Sequence, residues 1–344
     1  MVKGGSATSM GHLLRDNMVK LIVVSATMFL INFHYLLRFE DPAAEHHWMD
    51  DEPFVVRRPA RQQNEPLPQY RPLPQRHPDT RVLAGDYIYY KDLGVSWDSA
   101  PVVIASHKLV FFTIPKVGCT VWKQLFRRMM GKADWESQDE RRGLPHNPTT
   151  NGLQYLYDFD TDRATEIMTS PEWTRAIMVR DPKERFLSAF LDKSVRNDHK
   201  HIMGKCCPDG SCVDGAQTID GFLRLVQRCE DDHWRSQNGR VDHKFWGFID
   251  DVLHVESAAT DAEKLLRKVG AWDEFGTSGW GSNGDSAIFQ RKDSGGSHTN
   301  YAQWQVWKWY TPDSEASVVQ QFQADYDNPL FQFKTDNCLT CQSK

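Results

Sequence analysis

Two short stretches concentrate side chains that can hold phosphate. The first is "PKVGC", residues 115 to 119, where Lys116 offers a mobile charge, Gly118 a backbone without a Cβ, and Thr120 a hydroxyl just beyond. The second runs through "VRDPKERFLS", residues 179 to 188, with Arg180 followed eight residues later by Ser188. An ammonium acts on phosphate as a point charge, and a guanidinium as a fork matched to its oxygens. One ligand carrying phosphate at two places would satisfy both. A group to take a proton is also present: His146 in "RRGLPHNPTTNGL" lies between the two stretches, and His233 in "DDHW" lies beyond them. Imidazole is the side chain that titrates nearest neutrality, so either could deprotonate a hydroxyl.

These residues need particular elements to position them. "KLVFFTI", residues 108 to 114, is a continuous apolar run of strand type, and the chain from Thr120 carries helix formers with Val121, Leu125 and Met129 four apart. A strand, a tight turn and a helix start leave several backbone N–H groups unpaired at the positive end of a helix dipole. The amides of Val117, Gly118, Cys119 and Thr120 would then cradle an anion, with Lys116 above it. Residues 174 to 195 repeat the pattern: Arg180 ends a strand and Pro182 suits a first helical turn. The nucleotide-triphosphate loop GxxxxGK[ST] occurs nowhere in the chain, so an ATPase or GTPase is not the reading. Lys123, Arg127, Arg128 and Lys132 form a basic side on the first helix, either solvated or attractive to an anionic glycan. Trp122 and Trp234 read as core or cofactor-shelf residues, Trp234 also as a substrate contact beside His233; Cys119 reads as a small packed residue. Lys193 and Arg185 are expected to brace the second helix by ion pairs.

Together the two stretches resemble the paired signatures of the sulfotransferase superfamily. The nearest resemblance is to Golgi carbohydrate sulfotransferases of the chondroitin 4-O-sulfotransferase type, whose motifs look like "PKVACTNWK" and "VREPFERLVSAY", against "PKVGCTVWK" and "VRDPKERFLSAF" here. Residues 231 to 270, beginning "DDHW", are similar to that family's "NEHW" block, and "VVQQFQADYDNPLFQF" to its closing segment. The resemblance implies an α/β fold of the P-loop-like sulfotransferase kind, a central mostly parallel sheet flanked by helices. It also implies sulfuryl transfer from 3′-phosphoadenosine 5′-phosphosulfate (PAPS) to a carbohydrate hydroxyl, leaving 3′,5′-adenosine bisphosphate (PAP). Lys116 and the amides of residues 117 to 120 would then face the 5′-phosphosulfate, Arg180 and Ser188 the 3′-phosphate, and His146 would be the base, with His233 its competitor or an acceptor contact. No metal is implied. The chain departs from the family where "GFID" replaces "GKYE" and where "SGGSHTN" only loosely echoes a "STRTT"-like loop. Acceptor identity therefore stays open between a glycan and another hydroxylated molecule. A glycan-binding or scaffold protein that kept the fold without activity, and a nucleotide kinase, are the alternatives.

The rest of the chain supplies context. With 344 residues and a net charge of -5 it is large enough for a substantial core and is not a general nucleic-acid binder. Residues 21 to 37, "LIVVSATMFLINFHYLL", would span roughly 25 Å as a helix, a short membrane span. Lys3, Arg15 and Lys20 precede it and an acidic cluster follows, so the positive-inside rule leaves residues 1 to 20 cytosolic and the remainder luminal. A cleaved signal peptide is the competing reading, although no tidy small-residue site ends the run. Residues 38 to 82 are rich in Pro, Gln and charge and read as an extended stem before a domain at 83 to 344. That layout is the one expected of a type II Golgi membrane protein. Six of the seven cysteines lie beyond residue 200, and in an oxidising lumen Cys207 with Cys212 or Cys338 with Cys341 are short-loop options.

Overall fold

The computed structural model describes residues 100–196, 200–241, 243–290, 302–336 and 338–342. The expected anchor, the stem and residues 83–99 lie outside them. Among the described residues no helix is long and apolar enough to cross a membrane.

A four-stranded sheet is the frame. β1 (Val102–Ile104), β2 (Leu109–Phe112), β3 (Thr174–Val179) and β4 (Asp251–His254) lie in that order, β1 antiparallel to β2 and the other two pairings parallel. Two of the three pairings are parallel, as expected, and β1 makes the sheet a mixed one. The cause is local: only a single 3-10 turn, Ala105–His107, joins β1 to β2, and a link that short returns the chain antiparallel. Every residue of β2 is buried, as its unbroken apolar run requires.

Longer crossovers carry the helices. After β2 come α1 (Cys119–Met129) and α2 (Thr161–Thr169); after β3 come α3 (Pro182–Phe190), a π-helical turn (Leu191–Arg196), α4 (Lys200–Lys205) and α5 (Ile219–Val226); α6 (Ala258–Lys268) follows β4. Then come α7 (Ala302–Trp309), α8 (Pro312–Gln321) and α9 (Gln323–Tyr326). Trp122 of α1 is wholly buried against Phe111 of β2, ring centroids 4.4 Å apart, and joins the strands to α2 and α6 in one core. A second core gathers Phe186 and Phe190 of α3, Phe222 of α5, Trp234, and Val306 and Val318 of α7 and α8. Because Phe112 of β2 sits opposite Ile177 of β3 in parallel register, the turns that follow these strands leave the sheet at the same end. That brings "PKVGC" beside "RDP".

Cysteine pairing completes the second core's surroundings. Cys207 bonds Cys212 and Cys338 bonds Cys341, while Cys206 bonds Cys229, a pairing across 23 residues that spacing does not suggest. Cys119 is a free thiol.

Asp181 starts α3. Its carboxylate accepts the Lys183 amide at 2.9 Å, and Pro182 occupies the first turn where its missing N–H costs nothing. Burial pushes the Asp181 carboxyl up to about 6, against the lowering pull of Lys183. A carboxyl raised in the folded state stabilises fully below its unfolded value of 3.8, and this contribution is lost as pH rises through about 6. Asp181→Asn keeps a capping oxygen without the charge. It should be more stable than wild type at pH 8 by up to about 3 kcal/mol, a gain that vanishes near pH 4, as thermal unfolding across that range will check.

Candidate active site

The turn between β2 and α1 is built as a cradle. Lys116 has φ +71° and Gly118 φ +82°, so two of three consecutive residues are left-handed, a conformation that a lysine adopts at a cost of roughly 1–2 kcal/mol. Gly118 is the N-cap of α1, and no side chain caps that helix end. Its amides face the turn at the positive end of the dipole, the arrangement that binds anions. Val117 is buried at the base, Cys119 is half-buried in the first turn, and the Thr120 hydroxyl is 3.1 Å from Nε2 of His146.

The second turn meets the first directly. Arg180 donates from Nη1 to the Lys116 carbonyl at 3.5 Å and from Nη2 to Glu184 at 3.1 Å. Lys116 is ion-paired with Asp192, in the π-helical turn after α3, and Lys193 lies 3.3 Å from the same carboxylate. Burial lowers the Lys116 pKa while Asp192 pulls it back up. Burial alone would raise Asp192, yet Lys116 and then Lys193 hold its carboxyl well below the usual range. Ser188 is buried on α3, within the same strand–turn–helix unit as Arg180.

The segment from Asp231 to Arg240 locks both turns in place. Arg185 of α3 is fully buried; its Nε donates to the Pro115 carbonyl at 3.0 Å, Nη1 to Arg235 at 2.7 Å and Nη2 to Asp232 at 3.1 Å. Arg185 thus clasps three backbone carbonyls and, among the described residues, forms none of the helix-bracing ion pairs expected of it. Gln237 accepts the Arg180 amide at 2.9 Å and donates to the Arg180 carbonyl at 2.7 Å. Its own amide is held by the buried carboxylate of Asp325.

The basic side expected on α1 is also a set of clasps. Lys123 and Arg127 are almost completely buried: Lys123 donates to the His146 carbonyl at 3.5 Å, and Arg127 to the Asn151 carbonyl and to Asp134. Arg128 donates to the carbonyl of Ser278 at 2.6 Å and lies over the Trp135 ring. Lys132 is half-buried, packed near Gly152. Lys123 and Arg127 hold the stretch around His146, and Arg128 holds residues 275 to 278, so the cations are not a freely solvated face. Trp234 is the core residue that one of its two readings expected. It is 3% exposed, donates to the Cys229 carbonyl at 2.7 Å and packs against Phe222, so its ring has no face for a sugar.

His233 is placed differently from its neighbour. Its Nδ1 is 2.6 Å from Asp231, whose other oxygen is 3.2 Å from Nε2 of His201 on α4. Asp192, Asp231, His201 and Gln237 were not foreseen as site residues. Only "DDHW" carried a signal for one of them, an aspartate two residues before a candidate histidine.

A sulfotransferase-family model matches residues 101–334. The chain belongs to the sulfotransferase family. Carbohydrate sulfotransferase 10 of Xenopus laevis is 35% identical over 160 residues, 43% of this chain and 41% of that protein. Human carbohydrate sulfotransferase 9 is 34% identical over 103 residues, 29% of this chain and 22% of that protein. The matched span is less than half the length of either relative. No solved structure gives a significant match. Within this sulfotransferase-family domain the matched region includes both turns, the His146 loop and the Asp231–Arg240 segment.

A Cβ at position 118 would sit 3.2 Å from Cε1 of Phe289 in addition to requiring φ +82°. Gly118→Ala should therefore lower the unfolding free energy by about 1–2 kcal/mol, measured by urea denaturation.

Proposed function

We propose that this chain is a PAPS-dependent carbohydrate sulfotransferase, related in type to the chondroitin 4-O-sulfotransferases. The observation that carries the reading is the hydrogen bond from Arg180 to the Lys116 carbonyl at 3.5 Å, which joins the two phosphate-suited turns in one site. Family membership and the names of the relatives support sulfuryl transfer to a sugar.

The residues fit a donor of this kind. An uncapped helix start, a left-handed Lys116 and a buried Arg180 together favour phosphate oxygens. Lys116 and the amides of residues 117 to 120 would hold the 5′-phosphosulfate; Arg180 and Ser188 would hold the 3′-phosphate. PAPS, when bound, supplies the sulfuryl group and leaves as PAP. Lys116 then faces the charge that grows on the departing phosphate, the position at which a preorganised cation contributes most. His146, steadied by Thr120 and by Lys123, and His233, steadied by Asp231, are the groups near the cradle able to take the acceptor proton. Three disulfides suit an oxidising compartment, and with the apolar run at 21 to 37 they support a Golgi type II membrane protein with this domain in the lumen.

Calorimetric titration of the purified full-length chain with PAP, with ATP as control, tests the site. PAP binding without ATP binding is expected; ATP binding alone would indicate a kinase, and a folded chain that binds neither would point to an inactive scaffold. Arg180→Ala should weaken PAP about tenfold to a hundredfold, since a charge-assisted contact contributes on the order of 1.5–3 kcal/mol. Lys116→Ala should leave the circular dichroism spectrum unchanged while labelled-sulfate transfer drops at least about a hundredfold. Near-normal transfer by that variant would remove Lys116 from its role.

A further inference from the structure

Asp231, His233 and His201 form a hydrogen-bonded group whose residue types and geometry match an oriented base. Asp231 is 9% exposed and accepts from the His233 amide at 2.9 Å as well as facing its Nδ1 at 2.6 Å, so ring and backbone are fixed by one carboxylate. Its second oxygen faces Nε2 of His201, and the two imidazoles meet edge to face, centroids 5.1 Å apart. Among the described residues Nε2 of His233 has no hydrogen-bond partner, and the side chain is 28% exposed. A carboxylate on one ring nitrogen with the other open is the arrangement that fixes the tautomer and leaves a lone pair for an incoming proton.

The group is also bound to the cradle. Arg185 ties the carbonyls of Asp232 and Arg235 to that of Pro115, the residue before Lys116. The Cys206–Cys229 disulfide ties the end of α4, which carries His201, to the residue two before Asp231. The titratable groups around His233 are Asp231, His201, Lys193 and Lys116. Burial, and then the two lysines against the pull of Asp231, push His233 down to about 4, so the ring is neutral at physiological pH. Ligand-type atoms of the three lie within 4.8 Å of one another, a spacing open to a metal ion as well. The neighbouring lysines put positive charge where that cation would sit, which favours a proton acceptor over a metal.

Resting on the sulfotransferase reading above, we propose that His233 is the general base of the reaction, with Asp231 and His201 as its positioning residues. The acceptor O–H gives its proton to Nε2 of His233 while its oxygen bonds to sulfur. The bond from sulfur to the 5′-phosphate oxygen breaks with its electron pair leaving on PAP, and the imidazolium later returns the proton to solvent. His146 then serves the cradle by fixing Thr120.

The test compares full-length wild type, His233→Gln and Asp231→Asn for PAP affinity by calorimetry and for labelled-sulfate transfer to chondroitin, dermatan and keratan. His233→Gln is expected to keep PAP affinity within about twofold while kcat falls about a hundred- to ten-thousand-fold. Asp231→Asn should lose turnover and shift the acid limb of kcat/KM to lower pH, because Asp231 favours the protonated ring; a merely structural defect would leave that limb in place. Nitrogen-15 spectra of the wild-type chain should show a neutral His233 protonated at Nδ1, a measurement that needs no variant. Undiminished kcat in His233→Gln, an equal loss of PAP affinity and turnover, or an Nε2-protonated ring would overturn the assignment. So would activity abolished by EDTA and restored by zinc. A folded wild-type chain that fails to bind PAP sinks the underlying sulfotransferase reading and this proposal with it.

Discussion

The buried guanidinium of Arg185 is the contact on which the site depends. It takes the carbonyls of Pro115, Asp232 and Arg235, from two segments far apart in sequence, onto one planar group. Burial brings its pKa down to about 10, opposed by Asp325, yet the group remains charged at neutral pH. A buried cation is tolerable only when its donors are used, and here each nitrogen has a carbonyl. Lysine could not replace it, since one ammonium cannot span three carbonyls in that plane.

Around that clasp the charges are arranged in balanced pairs. Lys116 has Asp192, Arg180 has Glu184, and Lys183 has Glu315 at 3.3 Å. Each of the first two pairs leaves a phosphate-suited cation buried yet compensated, so the cradle is formed before any anion reaches it. An arriving phosphate competes with or joins a carboxylate; it does not have to create the site. Removing one partner alone would strand a charge in a low-dielectric surrounding, which is costlier than the pair itself is stabilising.

Much of this was legible in the sequence because local rules coincide with tertiary ones. The unbroken run of β2, Gly118 at a left-handed cap and Pro182 in the first turn of α3 each follow from backbone sterics and burial, and the structure has all three. What stayed hidden was the destination of cations. Lys123, Arg127 and Arg128 stand on a helix as a basic face would, and only tertiary structure reveals the carbonyls that consume them. Trp234 was legible as a core residue, but its partner Phe222 lies on a helix the motif does not mention. The antiparallel β1 was missed because residues 102 to 104 were not read as a strand. Asp192 gave no signal of its own, since a carboxylate's role is set by the cation that reaches it.

The clasp of Arg185 bears on how the chain acquires its site. Its partners stand 70, 50 and 47 residues away, and Gln237 reaches Arg180 across 57. Closing loops of that length costs conformational entropy, as the β2–β3 and β3–β4 pairings also do, and only the finished fold repays it. A chain with its sheet paired but the Asp231–Arg240 segment undocked would hold "PKVGC" on one strand end with nothing to fix it against Arg180. Competence to bind an anion therefore depends on contacts that lie outside both turns. Any ligand that selects the finished cradle draws the whole assembly toward the native state by mass action, so occupancy and foldedness become one equilibrium.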